Sequence, residues 1–282
     1  MARAIDQARW LIRRVKAAIN HFNEDAAAIV AGHIAFAAML AFFPFLIFVV
    51  TIAGEIGRSD AALELVDGLL RALPPEVSSA LAPTLDDVLR EPPKGLWVLS
   101  LATSLWAASS GIESLRYALN LAYGIGQTKA IWRARIESAL IVIALALVGL
   151  FSSLVLFLGP LAWQILTSIG GLSQELAPLY RLARLAFALA VIALVTSTLY
   201  RALSHTRLSR REVFPGACFV AVGWTLLVEA FSTYASEIAD VSVTYGSLGG
   251  VVLTLLFFYL VACLFLFGAE LNATTRRITA PG

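Results

Sequence analysis

The stretch Ser247-Leu-Gly-Gly-Val-Val-Leu-Thr-Leu-Leu-Phe-Phe-Tyr-Leu-Val-Ala-Cys-Leu-Phe-Leu-Phe-Gly-Ala-Glu-Leu271 decides the fold class. No charge interrupts it before Glu270. At 1.5 Å per residue it is long enough to cross the roughly 30 Å of a bilayer's hydrocarbon. Working back toward the N-terminus, comparable apolar blocks lie near Ala28–Gly54, Gly95–Leu121, Ile136–Leu158, Ala183–Leu203 and Val213–Ser236. The 282-residue chain is 59% hydrophobic and 14% charged. That is more apolar surface than one soluble core can hide, so the surplus faces lipid.

The expected fold is all-α: a polytopic transmembrane helical bundle of about six spans with short connections. Residues 1–27 form a cytoplasmic amphipathic helix, 28–275 the membrane domain and 276–282 a cytoplasmic tail. On the first helix Ile5, Ile12, Val15, Ile19 and Phe22 share one face, and Arg3, Arg9, Arg13 and Lys16 the other. Two readings of this helix stand: its basic face meets anionic lipid headgroups, or it packs on the protein's own underside. The first outer loop, 57–94, predicts two short amphipathic helices broken at Pro74-Pro75. In the middle of the first span Pro44 removes a backbone donor, which predicts a kink. Gly159-Pro160 predicts the end of the third span or a bend in it.

Charge distribution sets the orientation. Most of the 21 basic residues fall in alternate connecting segments, among them Arg13, Arg14, Lys129, Arg133, Arg201, Arg207, Arg210, Arg211, Arg276 and Arg277. By the positive-inside rule those segments and both termini are cytoplasmic. No cleavable signal peptide is expected, because the first apolar block is too long for one. A net charge of +2 argues against nucleic acid as a partner. Cys218 and Cys263 both lie in apolar blocks and read as small hydrophobes.

A charge within a span costs about 2.5–3.5 kcal/mol, so each one needs a reason. Ser109, Glu113, Arg116 and Asn120 make one polar stripe along the second span. His33 in the first span and Glu270, with Asn272, in the last reach a similar depth. These residues are candidates for binding a small solute, ion or lipid in a cytoplasm-facing polar vestibule between the first, second and sixth spans. The alternative is a local Glu113–Arg116 ion pair that locks the bundle. Glu229 is the deepest acid, suited either to a proton or substrate site or to a hydrogen bond between helices. Pro44, Pro215, Gly216, Tyr245, Gly246 and Gly249 are candidates for structural or gating roles. Small-residue pairs such as Ala31 with Ala35 and Ala217 with Ala221 make a homodimer reasonable. No catalytic residues, metal ligands or cofactor are expected, since three separated histidines and two buried cysteines match no zinc spacing and no phosphate-cradling glycine loop is present.

Five motifs in order, His33-Ile-Ala-Phe-Ala-Ala-Met-Leu-Ala-Phe-Phe-Pro-Phe45, Leu105-Trp-Ala-Ala-Ser-Ser-Gly-Ile-Glu-Ser-Leu-Arg-Tyr-Ala-Leu-Asn120, Phe214-Pro-Gly-Ala217, Thr244-Tyr-Gly-Ser-Leu-Gly249 and Gly268-Ala-Glu-Leu-Asn272, resemble the YihY/BrkB family, which is also labelled ribonuclease BN-like. The resemblance covers residues 20–275. It implies a bacterial inner-membrane protein of six spans without a settled biochemical activity. Pro44, Asn120, Pro215, Gly216, Tyr245, Gly246, Glu270 and Asn272 fall on the family's recurrent motifs, whereas Glu229 lies outside them. A ribonuclease needs metal ligands or an acid–base pair on a wet, basic groove, and nothing in the sequence supplies one. The sequence therefore points to a transporter-like membrane protein, with a non-transporting envelope scaffold as the alternative.

Overall fold

The computed structural model describes residues 14–24, 26–55, 96–125, 131–169, 176–245 and 247–279. They form α1 (Arg14–Glu24), α2 (Ala27–Glu55), α3 (Leu96–Ala122), α4 (Ile131–Ile169), α5 (Ala177–Leu203), α6 (Arg210–Tyr245) and α7 (Ser247–Thr279). No strand occurs among the described residues. The outer-loop helices expected within 57–94 and the basic face at Arg3, Arg9 and Arg13 lie outside them.

Helix α5, the Arg210–Tyr234 part of α6 and the Gly250–Arg276 part of α7 are each long and apolar enough to cross a membrane. So is α1 taken together with the start of α2 across a 68° bend. Ala26 sits at that bend with φ 49°, a left-handed backbone that non-glycine residues seldom adopt. Large apolar side chains point outward from α4 and α5, for example Leu140, Leu147, Leu182 and Leu194, as lipid-facing positions require.

Helix α2 packs between α3 and α7, α7 lies against α6, α6 against α5, and α4 against α3. Successive helices alternate in direction: the ends of α3, α5 and α7 meet the starts of α4 and α6 on one side. One core, which includes Ala31, Ile34, Leu119, Tyr200, Leu203, Phe265 and Ala269, fills that side. A second, of Phe231, Leu253 and Phe257, joins α6 to α7 further along, with the Trp224 ring edge-on to Phe257. Ala31, Ala35, Ala217 and Ala221 are all buried within the chain. Their small faces serve close packing of its own helices.

The helix ends differ from expectation in instructive ways. Helix α4 does not end at Gly159-Pro160 but continues to Ile169. There a Cβ on Gly159 would come within 2.8 Å of the Tyr180 hydroxyl, and Tyr180 stacks on Trp163 at 4.8 Å between ring centroids. Contact with α5 thus sustains the helix past its proline. Helix α5 starts earlier than the apolar block, with Pro178 in its first turn, where the missing N–H costs nothing. Helix α6 starts at Arg210 behind a capping box: the Ser209 N–H donates to Glu212 Oε2 at 2.6 Å, and the Glu212 N–H to Ser209 Oγ at 3.3 Å. Helix α3 stops at a Schellman turn, in which Gly124 takes φ 67° and the Ile125 N–H donates to the Asn120 carbonyl at 2.7 Å.

Helix α1 packs on α7 instead of lying free. Arg14 donates to the Thr275 hydroxyl and, at 3.5 Å, to the Leu271 carbonyl. Phe22 meets Phe267 at 6.0 Å, and Ala18 between them is fully buried. Lys16 remains exposed.

Candidate functional site

The polar residues of the spans gather where α3, α5 and α7 end and α4 and α6 begin. Their positions follow from helical spacing, which puts Glu113, Arg116 and Asn120 on adjoining turns of α3. Arg116 is 4% exposed and carries the densest bonding. Its Nη1 donates to Glu137 Oε2 at 2.9 Å, its Nη2 donates to Ser138 Oγ at 3.1 Å, and its Nε lies 3.6 Å from Glu113 Oε2. Ser138 in turn donates to Glu113. One guanidinium is thus shared by two carboxylates with a fully buried hydroxyl between them. Both carboxylates keep part of their surface open, 28% for Glu113 and 43% for Glu137, which spares the cluster the full cost of a buried ion pair.

The two asparagines act on the backbone. Asn120 donates from Nδ2 to the Arg116 carbonyl at 2.8 Å and the Leu203 carbonyl at 3.3 Å, and its Oδ1 accepts the His205 N–H at 2.9 Å. Asn272 donates from Nδ2 to the Val213 carbonyl at 3.1 Å and accepts the Gly216 N–H at 2.7 Å. One asparagine from α3 and one from α7 therefore pin the two ends of the same α5–α6 turn. Pro215 lies between the two bonded groups: it lacks the N–H that would reach the Arg211 carbonyl, and the Asn272 amide ties down the backbone on either side of it. Gly216 permits the approach, because a Cβ there would sit 2.1 Å from the Gly268 carbonyl oxygen. Tyr200, fully buried, donates to the Phe265 carbonyl at 2.7 Å and closes the same layer.

Glu270 is 2% exposed and lies in this layer with Asn272 and Tyr123. Tyr123 stands in the turn beyond α3, where burial pushes its phenol far above its ordinary value and keeps it neutral. Two further candidates stand apart. His33 pairs through Nδ1 with Ser114 Oγ at 2.7 Å and does not join the Arg116 cluster. Ser109 turns its hydroxyl onto the Leu105 carbonyl of its own helix at 2.6 Å. Glu229 borders a separate groove of about 410 Å3 between α4, α5 and α6. Pro44 lies inside α2, which continues past it. Gly246 and the side chains at 245 and 249 lie outside the described residues.

The cavity bounded by α2, α3, α4 and α7 is built of carbon. It measures about 620 Å3 and is walled by Ile34, Ala38 and Phe42 of α2, Leu105, Ala108 and Ile112 of α3, Val142, Leu145 and Ala146 of α4, and Phe258 of α7. Ser104 is the one hydroxyl in its lining. Neither Glu113 nor Arg116 lines it, and the Arg116 guanidinium turns toward α4. The acceptor side of the cluster, Glu137 and Ser138, was missed by sequence reasoning. An acid in the first turns of an apolar block was the available signal, since such a charge demands a partner. Tyr200 offered none, because a tyrosine near a span end reads equally as an interfacial residue.

A family model described as "Virulence factor BrkB" matches residues 18–281. The chain is 29% identical over 247 residues to a protein of Bacillus subtilis (strain 168) named as ribonuclease-like, YfkH, an alignment that covers 87% of this chain and 89% of that one. It is 25% identical over 267 residues to a UPF0761 membrane protein of Alteromonas mediterranea, with 91% and 85% of the two chains covered. No solved structure matches it.

Proposed function

Since this chain belongs to the Virulence factor BrkB family and is a membrane protein with apolar helices, we propose that it binds the hydrocarbon part of a lipid or similar amphiphile in the cleft between α2, α3, α4 and α7. The observation that carries this reading is the carbon wall of a 620 Å3 space beside a polar layer whose charges are engaged elsewhere. An apolar guest gains from every methylene it buries, about 0.8 kcal/mol each relative to water. A small hydrophilic solute or ion would find one hydroxyl there. Within the transporter-like class, this favours a lipid over a solute or ion.

We place the chain in a bacterial inner membrane with α2 to α7 as its spans. On that reading Arg14, Arg201, Arg207, Arg210, Arg211 and Arg276 share the cytoplasmic side, and exposed Lys16 adds to a face that suits anionic headgroups. A second reading, a non-transporting envelope scaffold, is favoured by the pairing of Arg116 with two carboxylates, since a lock needs no wet charges. The ribonuclease wording belongs to a relative's name. Among the described residues no three His, Cys, Asp or Glu side chains converge to hold a metal.

The test uses a phospholipid with a photoactivatable group at mid-chain, incorporated into membranes that hold the full chain. Cross-links are expected at Leu105, Ala108, Val142 and Ala146 at several times the yield of Leu182, which faces bulk lipid. Ala146→Phe, which fills the space, should cut the cleft yield several-fold and spare Leu182. Equal yields at cleft and Leu182 would remove the lipid reading. Labelling of a cysteine at position 108 by a membrane-impermeant thiol reagent would mark the cleft as wet and restore a polar-solute path.

A further inference from the structure

A second groove lies on the far side of the bundle, between α5 and α6, and its chemistry is graded along its length. It holds about 630 Å3. Its body is apolar, with Leu189, Ala193, Leu194 and Val222, and its other end carries Arg201 and Arg210. Among the described residues no carboxylate lines it. The nearest acid in sequence, Glu212, is held by the Ser209 N–H at 2.6 Å and lies 3.8 Å from Arg276. Arg201 donates from Nε to the Leu208 carbonyl at 3.1 Å, which fixes the guanidinium plane and leaves both Nη groups for another acceptor. Arg210, in the first turn of α6, makes no ion pair among the described residues. Both arginines are exposed. Between head and body, Ser197 and Thr198 spend their protons on the Ala193 and Leu194 carbonyls at 2.7 and 2.8 Å, so their oxygens retain only acceptor capacity.

We propose that this groove holds one phospholipid of the cytoplasmic leaflet, its phosphate between Arg201 and Arg210 and one acyl chain along α5 toward Leu189. Two arguments commit the site to that occupant. Paired guanidinium groups without a competing carboxylate match a phosphate, which accepts their N–H groups bidentately. From Arg201 to Leu189 the helix rises roughly 18 Å, close to one leaflet of a 30 Å hydrocarbon layer. A free phosphate would satisfy the arginines and leave the apolar body unfilled. This site is independent of the α2–α3–α4–α7 cleft and would stand if that cleft proved empty.

Native mass spectrometry of the full chain in mild detergent tests it, with phosphatidylglycerol, phosphatidylcholine and glycerol 3-phosphate as probes. Wild type should retain phosphatidylglycerol several-fold more than phosphatidylcholine, and glycerol 3-phosphate should not displace it. Arg210→Gln should abolish that preference, and Ala190→Phe, at an exposed position lining the groove, should lower retention with both arginines in place. Because Arg210 makes no ion pair among the described residues, its variant should keep the melting temperature of wild type. Wild-type retention in Arg210→Gln would reduce the lipid to an unspecific annulus and overturn the proposal, as would displacement by glycerol 3-phosphate. Loss of the lipid in Ala146→Phe instead would place it in the other cleft, supporting that reading and overturning this one.

Discussion

Helix α3 has two halves that solve different problems. Toward its C-terminus Glu113, Arg116 and Asn120 bond to α4, to the α5–α6 turn and to their own backbone, so nearly every polar atom is spoken for. Toward its N-terminus Leu101, Leu105 and Ala108 face a space that no side chain of the described residues fills. In hydrocarbon a stranded polar group costs more than an unfilled apolar one, so the first half tolerates little change and the second tolerates a guest. The sealed end holds the helices in register. The open end is where a ligand can enter without breaking a bond.

Glycines at the two places should separate most widely. Gly216→Ala puts a methyl group 2.1 Å from the Gly268 carbonyl and also against the Asn272 amide, neither of which can withdraw while both helices stay packed. We expect a loss above about 3 kcal/mol, beyond the usual range for overpacking, and a collapse of the monodisperse peak in size-exclusion chromatography. Gly111→Ala, on the wall of the cleft, meets only the Ala37 methyl at an ordinary 3.6 Å and should gain about 0.5–1 kcal/mol from lower chain entropy in the unfolded state. Equal melting temperatures for the two variants would dissolve the distinction between a sealed end and an open one.

Next in size stand the asparagines. Asn272→Leu removes the side-chain acceptor of the Gly216 N–H and a side-chain donor to the Val213 carbonyl, and Asn120→Leu strands the His205 N–H and the Leu203 carbonyl. Each buried group left without a partner costs about 1–3 kcal/mol, so each variant should lose roughly 2–5 kcal/mol in thermal or denaturant unfolding in detergent. The two act on one turn, and the double variant should lose less than the sum. Strict additivity would mean that the turn is not a single unit.

The all-helical class and the apolar character of the helices were legible in sequence, because apolar blocks and their lengths reflect the solvent and not the fold's details. What escaped is tertiary. Glu113 was readable as a partner of Arg116 because the two share a helix at a spacing of three, whereas Glu137 and Ser138 depend on the register between α3 and α4, which no local pattern encodes. Asn120 and Asn272 stood out as polar residues in apolar surroundings. Composition distinguishes a ligand site from a backbone clamp only through the geometry of what they clamp. The same holds for Pro160, where contact with Tyr180 across helices outweighs a local breaker signal.

The smallest effect belongs to a charge at the edge of the sealed end. Glu212 closes the capping box of α6, where its carboxylate accepts the Ser209 N–H at 2.6 Å and lies 3.8 Å from Arg276. Both contacts favour the ionised form, so the contribution of the charge is present where the carboxyl is ionised and is lost once acid protonates it. Glu212→Gln keeps the shape of the box and removes the charge. It should therefore melt lower than wild type at pH 7, by well under about 1 kcal/mol because the side chain is 36% exposed and its pairing is screened. Below pH 4 the gap should close, since wild type then carries a neutral carboxyl in the same place. A gap that persists at low pH would show that Glu212 acts by shape alone, and that this edge of the turn is held by the two asparagines without help from charge.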